Sequence, residues 1–582
     1  MRHVRPLVPA AVGDLRPLVD AGVIDASEIA VADAVARLVP SGDGPGTAVI
    51  LGVAIAALGR RLGHSCVHLS EAAAMCVTAG ADDESVAFPD PAAWADALDS
   101  SDLVQRDGAP DPAWDRPLVF DPNRGRLWLA RYAFYEHILR DRLVDAATRG
   151  HTIGDDTEIA AAVERAFTSV DDGGGAQRRA VERALSRPLQ FVVGGPGTGK
   201  TWTVGRLLEA FFDLRPTGLA ALAAPTGKAA ERLTEAVGER VQATTIHRLL
   251  GLHPGSPPGV DPPRQLPHDL VVVDEASMID LAMMTRLAGA VRSDAHLVFV
   301  GDPDQLLSVE VGSVLRDVVD AAVEASSPLQ GSVTELQRSH RFGGDLTDLA
   351  DAIRRGDGST VVDLLRDTSR PAIDLVDPDD PSGVARLEAE AVRWAVELRT
   401  AAKQGRAADA LALARSHRVL AGVRAGRFGL EWWNDRISAG VGLRRNAWAV
   451  GRPVIVTRND PVNGVNNGDT GITVADPIDP AGLVVALASA DGPRLVGTAR
   501  LRAHEDWWAM TIHKSQGSEF DRVVVSLPTT ASAILSRELL YTAVTRARRE
   551  VTIVGSPEVI RATAERRIDR ASGLRDRLSG GS

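Results

Sequence analysis

Apolar positions recur along the chain with two different periods, and the change from one to the other marks the first boundary. Up to about residue 150 they fall at helical spacing, as in Ala30–Leu38 and Leu127–Leu139, so residues 1–150 read as a helical N-terminal domain. The longest apolar stretch, Ala48 to Gly59, is about a dozen residues, too short to span a bilayer, and predicts a buried helix. Asp82–Asp115, rich in Asp, Pro and Ala, predicts irregular connections between short helices. The run Asp171-Asp172-Gly173-Gly174-Gly175 predicts a linker or turn.

Beyond that run, short apolar strands alternate with helical patterns. Leu189–Val193, Leu219–Ala223, Leu270–Val273 and Leu297–Val300 are each followed by Gly/Pro/Thr-rich turns, and such alternation predicts a parallel sheet covered on both faces. This first α/β unit spans 160–335. A second, built from 336–450 and 506–560, carries strand candidates at Arg418–Val423, Val523–Ser526 and Val551–Val554. Between its halves, 451–505 reads as a β-rich insert, a small barrel of Pro453–Thr457, Gly471–Val474 and Leu483–Leu487 with a turn at Asn466-Asn467-Gly468-Asp469. Residues 561–582 remain as a C-terminal tail. The fold class expected is α/β.

Composition adds bounds. A chain of 582 residues, 45% hydrophobic and 24% charged, is an ordinary globular protein with room for several domains. The N-terminus lacks the pattern of a secretory signal and no stretch suits a membrane span, so a cytoplasmic protein is expected. Cys66 and Cys76 are the two cysteines; His64 and His68 flank the first, but small buried thiols fit better than a metal site. A net charge of −12 argues against nucleic acid on average, although a basic groove can lie on an acidic protein. Composition leaves the substrate open. Only four lysines accompany 61 arginines, and three of them (Lys200, Lys228 and Lys514, but not Lys403) fall inside motifs. Such lysines mark places where a compact ammonium works and a planar guanidinium does not.

The chemistry begins at Gly194-Gly195-Pro196-Gly197-Thr198-Gly199-Lys200-Thr201, between an apolar strand and a helical pattern. It matches the phosphate-binding loop, whose glycines let successive N–H groups point at phosphate. Lys200 would reach the β- and γ-phosphates of ATP, and the Thr201 hydroxyl would ligate Mg²⁺. Asp274 and Glu275 end the apolar strand Leu270–Val273, at the edge where open α/β sheets bind ligands. Asp274 would hold Mg²⁺ and Glu275 would polarise the attacking water. Gln305, in Gly301-Asp302-Pro303-Asp304-Gln305-Leu306, could sense the γ-phosphate.

Nucleotide hydrolysis alone does not give a purpose. Two further segments, Ala509–Phe520 (with Thr511-Ile512-His513-Lys514-Ser515-Gln516) and Tyr541–Arg549, complete a series whose order and wording resemble superfamily 1 helicases over about 175 to 556. The resemblance implies two RecA-like motor domains, 1A and 2A, clasping ATP. It implies Arg546 as the main arginine finger and Arg341, in Ser339-His340-Arg341-Phe342, as a second; Gln177 would read the adenine edge. It also implies single-strand DNA contacts from Pro225, Thr226 and Lys228, from Thr245 and His247, from Asn459, and from Thr511, His513, Lys514 and Gln516. Trp432, Trp433, Trp507 and Trp508 fit the core better than a stacking platform.

Ala276-Ser277-Met278-Ile279-Asp280, Ser339–Phe342, and Val456–Asp460 followed by Asn467–Gly471 resemble the RecD branch. That branch implies 5′–3′ travel, an SH3-like barrel (2B) at 451–505, and a strand-separating pin near 253–267. Leu127–Glu136 resembles the end of an N-terminal domain that docks on a RecC-like subunit. The expected partners are therefore DNA, single-stranded or at duplex ends, and RecB-like and RecC-like subunits, with any nuclease activity on a partner and no membrane. A stand-alone 5′–3′ helicase and an ATP-gated regulatory subunit stay open as alternatives.

Overall fold

The computed structural model describes residues 6–38, 46–79, 88–109, 113–167, 175–238, 240–252, 264–336, 344–445, 447–460, 462–479, 481–489, 492–532 and 534–580. The N-terminal region departs from the helical expectation. Beside helices such as Thr47–Arg61 and Pro91–Asp99 it holds a four-stranded mixed sheet. Its strands are β1 (Val67–His68), β2 (Val104–Arg106), β3 (Leu118–Asp121) and β4 (Arg126–Leu129), in the order β1-β4-β3-β2. The hairpin between β3 and β4 is set by Asp121, whose carboxylate accepts from the N–H groups of Asn123 and Arg124, and by Gly125 at φ 61°. The apolar spacing at Leu127–Leu139 straddles a junction: Leu127–Leu129 is strand, and the helix Ala130–Thr148 follows.

That helix belongs to the next core. Its Tyr135, Leu139 and Leu143 pack with Val271, Val273 and Leu287, so the physical boundary of the first motor lies before residue 150. The motor sheet contains β5 (Leu189–Gly194), β6 (Ala220–Ala224), β7 (Ala243–Thr245), β8 (Leu270–Val273), β9 (His296–Gly301) and β10 (Val333–Leu336). The order is β10-β5-β9-β8-β6-β7 and every pairing is parallel. Strands β5, β8 and β9 are buried along their whole length, as a sheet covered on both faces requires.

The second motor holds β11 (Ile373–Val376) and β12 (His417–Ala421). The insert then supplies β13 (Pro453–Val456), β14 (Thr470–Ala475), β15 (Leu483–Leu487), β16 (Arg494–Gly497) and β17 (His504–Asp506), and the motor resumes with β18 (Ala509–Thr511), β19 (Phe520–Ser526) and β20 (Ala547–Val554). The motor sheet, β11-β20-β19-β12-β18, is parallel throughout. The insert is a five-stranded antiparallel sheet ordered β16-β15-β14-β13-β17. Alternation along its strands sends Val454, Val456, Val485 and Leu487 into its own small core, while Ile455, Ile472, Val484 and Ala486 join the core of the second motor.

Of the C-terminal tail expected at 561–582, residues 561–580 are described and pack back onto the rest of the chain. After the helix Pro557–Glu565 the chain returns to the first motor, where Leu574 and Leu578 are fully buried beside the helix Ala130–Thr148. Trp433, Trp507 and Trp508 are core residues and Trp432 is half-buried against them. Cys66 and Cys76 are buried free thiols. His64 Nδ1 accepts from the Ala571 N–H, and His68 Nε2 accepts from Arg126 Nε. Of the pin expected near 253–267, residues 253–263 lie outside the described residues, as do Arg341 and the rest of 337–343.

Candidate nucleotide site and nucleic-acid interface

The loop from Gly194 to Thr201 joins β5 to the helix Lys200–Leu214. Gly197 and Gly199 hold φ of 75° and 85°, conformations that glycine adopts without a Cβ penalty. A side chain on Gly194 would meet the Leu336 carbonyl at 2.8 Å, and one on Gly195 would meet the Tyr541 hydroxyl at 2.9 Å. Lys200 Nζ donates to the carbonyls of Gly194 (2.5 Å) and Gly195 (2.9 Å), which keeps its charge inside the curl of the loop. Gln177 lies against the same loop. Its Nε2 donates to the Thr198 carbonyl at 3.0 Å, while its buried Oε1 has no protein partner, an acceptor available for a base amino group.

Asp274 and Glu275 follow β8 directly. Asp274 accepts from the Glu275 N–H at 2.8 Å, and burial together with the neighbouring Glu275 charge pushes its carboxyl well above the usual carboxylate range. Lys200 opposes that shift. Glu275 itself sits at φ 53°, ψ 42°, a left-handed conformation rare outside glycine and of the kind that clusters at functional sites.

Gln305 is buried and both ends of its amide are engaged: Nε2 donates to Asp302 (3.0 Å), and Oε1 accepts from Arg546 Nη2 (3.2 Å). Arg546 belongs to the second motor. Its Nε and Nη1 donate to the carbonyls of Thr542 and Ser518, so the guanidinium is aimed across the domain boundary. One cavity of about 440 Å³ is lined by Lys200, Thr201, Asp274, Glu275, Gln305 and Arg546 together. A second, about 690 Å³, shares Pro196 with it and is walled by Gly194, Gly195, Thr198, Tyr541 and Arg354. Among the described residues no cluster of three or more His, Cys, Asp or Glu could hold a metal alone. The Thr201 hydroxyl and Asp274 carboxylate in one cavity nevertheless form an oxygen donor set suited to Mg²⁺ shared with phosphate oxygens.

The residues expected on DNA occupy three loops and the insert. Thr226 and Thr245 cap helices, accepting from the N–H of Ala229 and Arg248 at 3.2 Å each, which leaves each O–H to donate elsewhere. Pro225 is half-buried and His247 is exposed. Exposed Asn459 accepts from the Asn467 N–H (2.7 Å) and keeps its NH₂ free of that bond. Lys228 lies 5.8 Å from the Trp507 ring centre, and burial with repulsion from Arg232, Arg418 and Arg415 lowers its pKa to about 7. Thr511 accepts from the Lys514 N–H, and Lys514 pairs with Glu505 at 2.6 Å. Burial lowers the pKa of His513. Gln516 points elsewhere: its amide donates to the Leu306 carbonyl of the first motor at 3.2 Å.

Sequence reasoning passed over Arg232, which lines the catalytic cavity and donates to the Gly517 carbonyl across the domain boundary. Its position four residues after Lys228 on one helix face was the available signal. Arg418 was also missed. It is fully buried, 3.7 Å from the Trp507 ring centre, with Nη1 and Nη2 on main-chain carbonyls, and nothing in a strand pattern announces that.

Comparison with known proteins adds three family models. One described as an AAA domain matches 173–372, one described as a UvrD-like helicase C-terminal domain matches 506–554, and one described as the N-terminal domain of RecBCD enzyme subunit RecD matches 20–126. The chain is 42% identical to the RecBCD enzyme subunit RecD of Mycobacterium tuberculosis over 98% of its own length and 97% of that protein's. Identity to the same subunit of Mycolicibacterium smegmatis is 39%, covering 96% and 98%. The ATP-dependent RecD2 DNA helicase of Deinococcus radiodurans is 32% identical over 69% of this chain and 52% of that one.

Proposed function

We propose, from the premise that this chain belongs to the RecD family of ATP-dependent DNA helicases, that it is the 5′–3′ motor subunit of a three-subunit helicase–nuclease. In this reading it acts at duplex ends with RecB-like and RecC-like partners, in double-strand break repair by homologous recombination. The observation that carries the motor assignment is the convergence of Lys200, Glu275, Gln305 and Arg546 on one cavity, with the arginine supplied by the second domain.

The phosphate loop and Lys200 bind the triphosphate, and Gln177 takes the adenine edge. Thr201 and Asp274 would hold Mg²⁺, which when bound would supply charge neutralisation to the phosphates. Glu275 orients the attacking water and accepts its proton, and Arg546 stabilises charge on the transferring phosphoryl group. Because Arg546 and Gln305 come from different domains, hydrolysis depends on their closure. Lys228, Asn459, His247, His513 and the threonine hydroxyls are the single-strand contacts in this reading, with the insert serving as an SH3-like barrel.

The match of the RecD N-terminal model to 20–126, and the near-complete coverage of RecD subunits, favour the complex-forming role over a stand-alone helicase. Glu275→Gln is the test. It is expected to abolish this chain's ATP turnover while retaining DNA binding; equal activity of the purified complex with and without the carboxylate would leave a regulatory subunit as the better description.

A further inference from the structure

Leu306 adjoins Gln305 and is buried, and both of its main-chain polar groups are satisfied by side chains of the second motor. Its N–H donates to Thr542 Oγ1 at 2.9 Å, and its carbonyl accepts from Gln516 Nε2 at 3.2 Å. Buried main-chain groups demand partners, so this loop of the first motor is complete only when the second motor is docked on it. Gln305, one residue earlier, is the residue whose amide meets Arg546. Gln516 ends the segment Thr511–Gln516, which otherwise carries candidate DNA contacts. A turn stiffens it: Ser515 Oγ donates to the Ile512 carbonyl at 2.7 Å, and Gln516 N–H donates to the His513 carbonyl at 3.4 Å.

We infer that Gln516 and Thr542 are positioning residues that grip Leu306 and so set Gln305 against Arg546, making turnover answer to the strand-contacting segment. Gln516 is then no ligand of DNA. The inference rests on the proposed roles of Gln305 and Arg546. Thr542 is fully buried, which separates its effect from any DNA contact.

The test measures ATP turnover of the full-length chain with and without saturating oligothymidylate, together with oligothymidylate affinity by fluorescence anisotropy. Gln516→Ala, Gln516→Glu (whose carboxylate cannot donate to a carbonyl) and Thr542→Val should each lower the DNA-stimulated kcat by about fivefold to tenfold, the usual worth of one such hydrogen bond. Oligothymidylate affinity should stay within about twofold of wild type. Thr542→Ser keeps the acceptor and should restore the rate, which separates loss of the bond from damage to the fold. A Gln516→Ala chain with weaker affinity that regains full kcat at saturating oligothymidylate would make Gln516 a DNA ligand and overturn the inference. Wild-type stimulation persisting in both Gln516→Ala and Thr542→Val would overturn it too. A wild-type chain that DNA does not stimulate would instead remove the motor reading on which the inference stands.

Discussion

Glu136 is a sharp place to perturb the architecture, because its side chain is completely buried and holds together three parts of the chain. It accepts from Ser65 Oγ (2.5 Å) and Trp128 Nε1 (3.2 Å) in the N-terminal domain. From the C-terminal segment it accepts from Ser572 Oγ (3.2 Å), the Gly573 N–H (3.1 Å) and Arg577 Nε (3.4 Å). Removing one member of a buried charge pair costs about 3–5 kcal/mol, since the partner is left desolvated. Arg577 retains Asp107 at 2.8 and 2.9 Å, which argues for the lower end. Glu136→Ala is therefore expected to weaken closure of the C-terminal segment by about 3 kcal/mol, a factor of about 150 in its opening constant. A chain with several domains has no single unfolding equilibrium, so the assay must be local. Amide hydrogen exchange of peptides covering 570–580 reads that opening directly. Glu136→Gln, which keeps the shape and one acceptor, should lose only about 1 kcal/mol. If exchange in that segment rises by less than about threefold in Glu136→Ala, the carboxylate is not what holds the segment.

Two further outcomes follow from the site. Arg546→Lys keeps a positive charge but loses the planar fork that reaches Gln305 and two carbonyls at once; kcat should fall by about 10³-fold with the KM for ATP little changed, and steady-state kinetics would show it. Lys228 carries a pKa lowered to about 7 by burial and neighbouring arginines. A bound phosphate favours its ammonium form, so DNA binding takes up a proton. Single-strand affinity at fixed salt should then fall as pH rises through about 7, by up to about tenfold per pH unit, and Lys228→Arg should flatten the dependence; a pH-independent wild type would place Lys228 away from the strand.

What the sequence made legible follows from how each feature is encoded. The central strands β5, β8 and β9 are continuous apolar runs because both faces are covered, and each was readable to within a residue or two of its ends. The strands that escaped notice are short or of mixed polarity: β7 is Ala-Thr-Thr, β10 is Val-Thr-Glu-Leu, β11 is Ile-Asp-Leu-Val, and β1 to β4 and β16 to β18 have two to four residues each. Their pairing is fixed by neighbours in space, which a window on the sequence does not contain. The same division runs through the site. The phosphate loop and Asp274-Glu275 declare themselves because local backbone geometry and local chemistry require those residue types in that order. The Leu306 grip and the Glu136 hub join residues more than two hundred and more than four hundred positions apart, and no periodicity reports either.

Glu275 shows where the two kinds of information meet. Its left-handed backbone is one that glycine would adopt at less cost, by about 1–2 kcal/mol. Local folding preference alone would put glycine there, and the chain has a carboxylate instead. The side chain at that position therefore answers to something other than the turn. Its surroundings supply the reason: Asp274 beside it, Lys200 and Gln305 in the same cavity, and Arg546 reaching in from the second motor. A conflict between backbone and side chain, invisible as a motif, points to the same atoms that the motif names.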